Sequence, residues 1–326
     1  MNDYRDVVFQ LLRVALGNDD YVEYDSSLVD WQRTLELACR HGIAGVCFGA
    51  FSSLSESYRP DDGLFLKWLG HTILMEDRYN LYKEAVARLS EVAHDLGMRA
   101  LVLKGYGCSL NYLHPNHRPC GDIDIFLIDE NGRHSKSLTR RLEICFEKQY
   151  GINVNHTNDH HSQFMFNGFL VENHSTVLDV DAHKSSVYLN GLLESLSASA
   201  EPVFIGDSEV WLPSVKFNSI HLLRHMASDF ASVRTTLRNV LDWSSFISEH
   251  NVDWAFVSMV AQRTNMHRFL DAINWICVSQ FGYPSDMFPV EKRDEKLTKR
   301  VLDQILTSTD SPCHPLSEGS FGERVA

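Results

Sequence analysis

Two carboxylates carry the strongest chemical signal in the chain. Asp122 and Asp124 stand two residues apart in Asp122-Ile123-Asp124-Ile125-Phe126. On a strand, residues two apart share a face, so both carboxylates point one way and Ile123 and Ile125 the other. Like charges held ~7 Å apart along one edge repel and lose hydration. A divalent cation between them removes that cost. Hard oxygen ligands without cysteine favour Mg²⁺ or Mn²⁺.

The residues around the pair suit phosphate. Lys104-Gly105-Tyr106-Gly107 ends a short apolar run and opens a short helix. A helix start offers unpaired amides and a positive dipole end. Gly105 and Gly107 permit close backbone approach, and Lys104 adds a point charge. Arg118 and Gly121 immediately precede the carboxylate strand. Arg118 is placed either to meet a phosphate or to hold Asp122 or Asp124.

A metal site that also activates a hydroxyl wants a third carboxylate. Ser162–Phe166 and Phe169–His174 are strand-like runs separated by Asn167-Gly168, the favoured two-residue type I′ turn. That turn pairs Gln163 with Glu172 and His161 with His174. One face of the ribbon carries Phe164, Phe166, Phe169 and Val171. The other carries Met165 and Leu170 near the turn, then Gln163, Glu172, His161 and His174. Glu172 is therefore the third candidate. Asp181 is held in reserve, on a further strand-like run at Thr176–His183.

The elements that position these residues follow from periodicity. Helical spacing recurs in Val7–Leu16, Trp31–Phe51 and Leu64–Leu96, with Leu81, Ala85, Leu89, Val92/Ala93 and Leu96 on one stripe. Ala100–Leu103 and Asp122–Ile128 read as strands, and Lys136–Tyr150 as a helix. Helical periods return in Phe217–Phe230, Leu237–Ser248, Trp254–Thr264, Phe269–Phe281 and Glu291–Leu306. The expected fold is α+β: a small mixed sheet flanked by helical parts. The boundaries are 1–97 helical, 98–212 α/β core, 213–308 helical and 309–326 a loose tail.

Composition narrows the function. The 326 residues are 44% hydrophobic and carry a formal net charge of −13. That field repels phosphate backbones and argues against generic nucleic-acid binding. Between Met98 and Asn190, nine Lys/Arg face ten Asp/Glu, so the core is near neutral and accepts a phosphate ligand. No apolar run reaches the ~20 residues of a membrane span. Seven scattered cysteines without a Cys-x-x-Cys point to a reduced, cytoplasmic protein without a disulfide framework. His221, His225 and Asp229, at i, i+4 and i+8, read as structural or acceptor-side residues. His160 and His161 read as loop histidines, Cys120 as packing, and Trp211, Trp243 and Trp254 as core.

Lys104-Gly105, Arg118-Pro119-Cys120-Gly121-Asp122-Ile123-Asp124 and Val171-Glu172-Asn173-His174 resemble the uncharacterised bacterial nucleotidyltransferase-like family of the DNA polymerase β-type nucleotidyltransferase superfamily. Asp30-Trp31, His41-Gly42-Ile43-Ala44, His221–His225 and Leu237–Trp243 extend the resemblance over roughly residues 1–285. It implies Mg²⁺-dependent (or Mn²⁺-dependent) transfer of a nucleoside monophosphate from an NTP such as ATP to a hydroxyl or phosphate acceptor. That acceptor is a small molecule or a protein. It also implies Asp122 and Asp124 as metal ligands and Gly105 as the phosphate-facing glycine. The superfamily usually has Gly-Ser or Gly-Gly where this chain has Gly105-Tyr106-Gly107, so the ring is expected to block or reshape the triphosphate cradle. The rival reading is a non-catalytic nucleotide-binding or partner-binding module on the same fold.

Overall fold

A computed structural model of the chain describes residues 3–156, 160–181 and 183–307. The tail expected from residue 309 lies outside them. The helices are α1 (Tyr4–Ala15), α2 (Trp31–Arg40), α3 (Ala44–Gly49), α4 (Asp62–Asp95), α5 (Tyr106–Ser109), α6 (Lys136–Gln149), α7 (Ser186–Leu196), α8 (Val215–Ala231), α9 (Leu237–Glu249), α10 (Trp254–Arg263), α11 (His267–Phe281) and α12 (Glu295–Thr307). The strands are β1 (Arg99–Val102), β2 (Ile123–Ile128), β3 (His161–Phe166), β4 (Phe169–His174), β5 (Glu201–Ile205) and β6 (Ser208–Leu212). They form one six-stranded mixed sheet in the order β3-β4-β2-β1-β6-β5. The α+β expectation holds.

The sheet is covered on both faces, which is why β1 and β2 read as continuous apolar runs. Ala100, Val102, Ile123, Ile125 and Leu127 pack with α4, α6 and the hairpin residues Phe164, Phe166, Phe169 and Val171. Leu101, Leu103, Phe126 and Ile128 join the opposite core, with residues of α1–α3, α8, α9 and α11. Asp124 lies on the face of Phe126, towards the C-terminal helices.

The hairpin takes the register set by its turn. Gln163 pairs with Glu172 and His161 with His174. Asn167 and Gly168 have φ of 47° and 81°, as a type I′ turn requires.

Three expectations are corrected, and one hairpin is added. Residues 176–181 are bends and irregular chain, not strand. Thr176 Oγ1 donates to the Leu178 carbonyl, and the Asp179 carboxylate accepts from the Asp181 amide, so short polar side chains satisfy the backbone in place of a ladder. The expected helix over Trp31–Phe51 breaks at His41-Gly42, where Gly42 has φ of 64°. On α4, Leu81 is 60% exposed while Tyr82 is fully buried, so the stripe runs through Tyr82, Ala85, Leu89 and Ala93. Finally, the β5/β6 hairpin has no counterpart in the sequence reading. It places β6 parallel to β1 through Leu101 and Trp211, where Arg99 stacks on the Trp211 ring.

No described helix is long and apolar enough to cross a membrane. Among the described cysteines no disulfide forms. Trp243 and Cys120 are buried, and Trp211 and Trp254 pack against the main core.

Candidate active site

The site grows from two adjacent parallel strands. Asp124 on β2 is the register partner of Glu172 on β4, and Phe126 is that of His174. Asp124, Glu172 and His174 each bring one ligand atom to within 4.8 Å of the others. Asp122, just ahead of β2, is solvent-exposed and lines a cleft that Asp124 also borders.

Asp124 is 4% exposed. Burial alone pushes a carboxyl up, but Lys104 and His174 outweigh it and hold Asp124 well below the usual range. Lys104 Nζ lies 3.3 Å from Oδ2, and His174 Nε2 3.0 Å from Oδ1. Burial disfavours the Lys104 ammonium, yet Asp124 and then Asp122 prevail and raise its pKa. The repulsion expected between Asp122 and Asp124 is thus already met by the Lys104 ammonium.

Glu172 is held by the hairpin. Gln163 Nε2 donates to its Oε1 at 2.7 Å, and His161 Nε2 lies 3.6 Å from the same oxygen. Asp181, the reserve carboxylate, is exposed in its bend and belongs to neither cluster of potential metal ligands found among the described residues.

Gly105 makes the turn from β1 into α5, with φ of 47° and ψ of −105°. A Cβ there would overlap the Tyr82 hydroxyl. That hydroxyl donates to the Asp122 carbonyl at 2.9 Å, so one tyrosine of α4 braces both the glycine turn and the carboxylate strand. Gly105 and Gly121 line the cleft; Gly107 instead packs near Leu212. Tyr106 does not enter the cradle. Its ring is buried in the core behind the sheet, near Tyr79, so the expected reshaping does not occur.

Arg118 is 5% exposed and meets neither Asp122 nor Asp124. Its Nε and Nη2 each donate at 2.7 Å to the two oxygens of Asp242, and Tyr112 adds a third donor at 2.7 Å. Nη1 donates to the Pro119 carbonyl and the Cys120 sulfur. The guanidinium therefore ties the Pro119–Gly121 loop to α9. Sequence spacing of 124 residues hid that pair.

Two further residues line the cleft: helical spacing marks His225 in the sequence, and Arg238 carries no signal of its own. Arg238 lines the cleft from the first turn of α9, and its Nε is buried without a hydrogen-bond partner among the described residues. His225 lines it from α8 and sits 3.3 Å from Asp229. Burial, followed by Lys104, drives His225 well below the usual histidine range and His221 down to about 3. Both are neutral imidazoles at neutral pH.

The model of the uncharacterised nucleotidyltransferase family matches residues 27–282, which include every residue named above as part of the site. The chain belongs to the uncharacterised nucleotidyltransferase family. The match spans the sheet, α4 and the cleft-lining helices α8 and α9. No curated protein and no solved structure matches the chain.

Proposed function

We propose that this member of the family is a Mg²⁺-dependent enzyme of the polymerase β-type superfamily. It moves a nucleoside monophosphate from an NTP to a hydroxyl or phosphate acceptor on a small molecule or protein. The observation that carries this reading is the Asp124–Glu172 register pair, set beside the Gly105 turn and the exposed carboxylate of Asp122. The donor set suits a hard divalent ion: carboxylate oxygens from Asp122, Asp124 and Glu172 would hold Mg²⁺ or Mn²⁺. When bound, such ions neutralise phosphate charge and favour a deprotonated acceptor hydroxyl.

The chain's own residues do the rest. The Gly105 turn offers backbone amides to the triphosphate, and a side chain there would break the turn by striking the Tyr82 hydroxyl. Lys104 and Arg238 face the cleft and stabilise charge on the phosphates. Glu172 accepts the acceptor proton. Gln163 and His161 orient it for that role. Arg118 keeps the loop before Asp122 in place through Asp242.

Pyrophosphate release from each NTP, screened against a metabolite library with Mg²⁺, tests the proposal. Turnover that needs Mg²⁺ and falls at least ~10²-fold in Glu172→Gln is the expected outcome. NTP binding without pyrophosphate release from any acceptor would favour the non-catalytic module instead.

A further inference from the structure

Three cationic side chains line the cleft: Lys104, Arg118 and Arg238. Lys104 is paired with Asp124 at 3.3 Å, and Arg118 with Asp242 at 2.7 Å. Arg238 is half-buried, and it has no ion pair and no hydrogen bond among the described residues. The carboxylates that could neutralise it are taken. Asp242, one turn along α9, accepts from Arg118 with both oxygens and from Tyr112. Asp229 accepts from Asn239 Nδ2 at 3.3 Å and lies 3.7 Å from Arg234. A charge left half-buried and unpaired is costly unless a ligand of opposite charge meets it. The planar guanidinium suits a phosphate, which it binds through two parallel hydrogen bonds.

The N-terminal helices set the position of that guanidinium. His41 Nδ1 accepts from the Leu237 amide at 3.3 Å and so holds the first turn of α9, next to Arg238. Gly42 follows, with φ of 64°. A Cβ on Gly42 would lie 3.4 Å from Arg238 Cδ, 3.7 Å from its Nη1 and 3.4 Å from Pro119 Cγ. A methyl group fits in that space, whereas a longer side chain meets Arg238 or the loop that leads to Asp122. Gly42 also closes α2. Its amide donates to the Cys39 carbonyl, and the Ile43 amide to the Ala38 carbonyl, the two hydrogen bonds of a Schellman cap. The cap requires the left-handed backbone, which asparagine also tolerates. The contact with Arg238 requires the absent side chain.

We propose that Gly42 is a positioning residue of the nucleotide site: the bare backbone at this position leaves the Arg238 guanidinium free to grip a phosphate of the triphosphate. The turn between α2 and α3 thereby becomes a wall of the site, although it lies in the N-terminal helical part and is about 60 residues before the Gly105 turn in sequence. This role rests on Arg238 serving the triphosphate, as the proposed function has it.

The test is calorimetric titration of the full-length protein with inorganic tripolyphosphate in Mg²⁺, beside denaturant melts of the same variants. Arg238→Gln should weaken binding at least ~10-fold, the scale of a lost hydrogen bond to a charged group. Gly42→Asn keeps a residue that tolerates positive φ, so it should unfold at higher denaturant than Gly42→Ala. It should nonetheless bind tripolyphosphate about 10-fold more weakly than wild type, and more weakly than Gly42→Ala, because its longer side chain displaces Arg238. Added to Arg238→Gln, Gly42→Asn should cost no further affinity, since the group it displaces is already gone. Affinity that follows stability across the two Gly42 variants, losses that add in the double variant, or wild type that binds no tripolyphosphate would overturn the proposal. Binding with the expected losses in a protein that releases no pyrophosphate from any NTP would strike only the nucleotidyl-transfer reading.

Discussion

Asp124 and Glu172 are register partners on neighbouring parallel strands, β2 and β4. Their spacing is set by the backbone ladder rather than by a loop. A pair placed on rigid elements keeps its geometry through ligand exchange better than one placed on loops. The same ladder brings His174 beside them, two residues on from Glu172.

The two aspartates should separate in stability measurements. Asp124 is buried against Lys104 and His174, so Asp124→Asn leaves Lys104 without its partner. Breaking a buried pair from one side costs about 3 kcal/mol. Asp122 is exposed, and Asp122→Asn should stay within about 0.5 kcal/mol of wild type. Denaturant melts of the metal-free proteins check the difference. Equal losses would show that Lys104 does not depend on Asp124.

The Arg118–Asp242 pair should behave as a structural tie. Arg118→Met leaves the Asp242 carboxylate buried with only Tyr112 as donor, at a cost of about 3 kcal/mol. Tyr112→Phe removes one hydrogen bond and should cost about 1 kcal/mol. Thermal melts of both variants would reveal a reversed order, which would place the tie elsewhere.

The hairpin turn governs Glu172 from a distance. Gly168 has φ of 81°, which valine does not tolerate. Gly168→Val should strain the turn by about 1–3 kcal/mol and loosen the register. Glu172 would then leave the face of Asp124, and Mn²⁺ affinity should fall although Gly168 touches no ligand. Mn²⁺ titration by electron paramagnetic resonance reads this directly. Unchanged affinity in a folded variant would show that the register does not depend on the turn.

Stability should also fall with acid through His41. Burial, then Arg40, lowers its pKa from 6.5 to about 4, and its Nδ1 accepts from the Leu237 amide at the start of α9. The unfolded chain takes up this proton first as pH drops. The stabilisation is therefore complete above pH 6.5 and is lost between 6.5 and 4. The loss amounts to roughly 3 kcal/mol at most. Unfolding free energies from pH 7 to 4.5 should slope less steeply in His41→Asn than in wild type. Parallel slopes would assign the acid sensitivity to other groups.

What was legible in the sequence was local. Asn167-Gly168 fixed the register of β3 and β4, and the Asp-x-Asp alternation fixed the face of β2, because both follow from short-range geometry. Tyr106 was misjudged because its direction depends on the unusual dihedrals of Gly105 and on Tyr79, 27 positions upstream. The bends over residues 176–181 were misread because β-branched residues mimic a strand while their neighbours cap the backbone. Arg118 and Asp242, like Arg238 at the cleft, meet their surroundings only through the tertiary fold.

The most direct test of the account is a crystal structure of the protein with Mn²⁺ and a non-hydrolysable NTP, read by the anomalous signal of manganese. The account predicts the triphosphate against the Gly105 turn and manganese bound by Asp124 and Glu172, with Asp122 joining it. A nucleotide seated in the cleft with no manganese at these carboxylates, or manganese there with the nucleotide elsewhere, would contradict it.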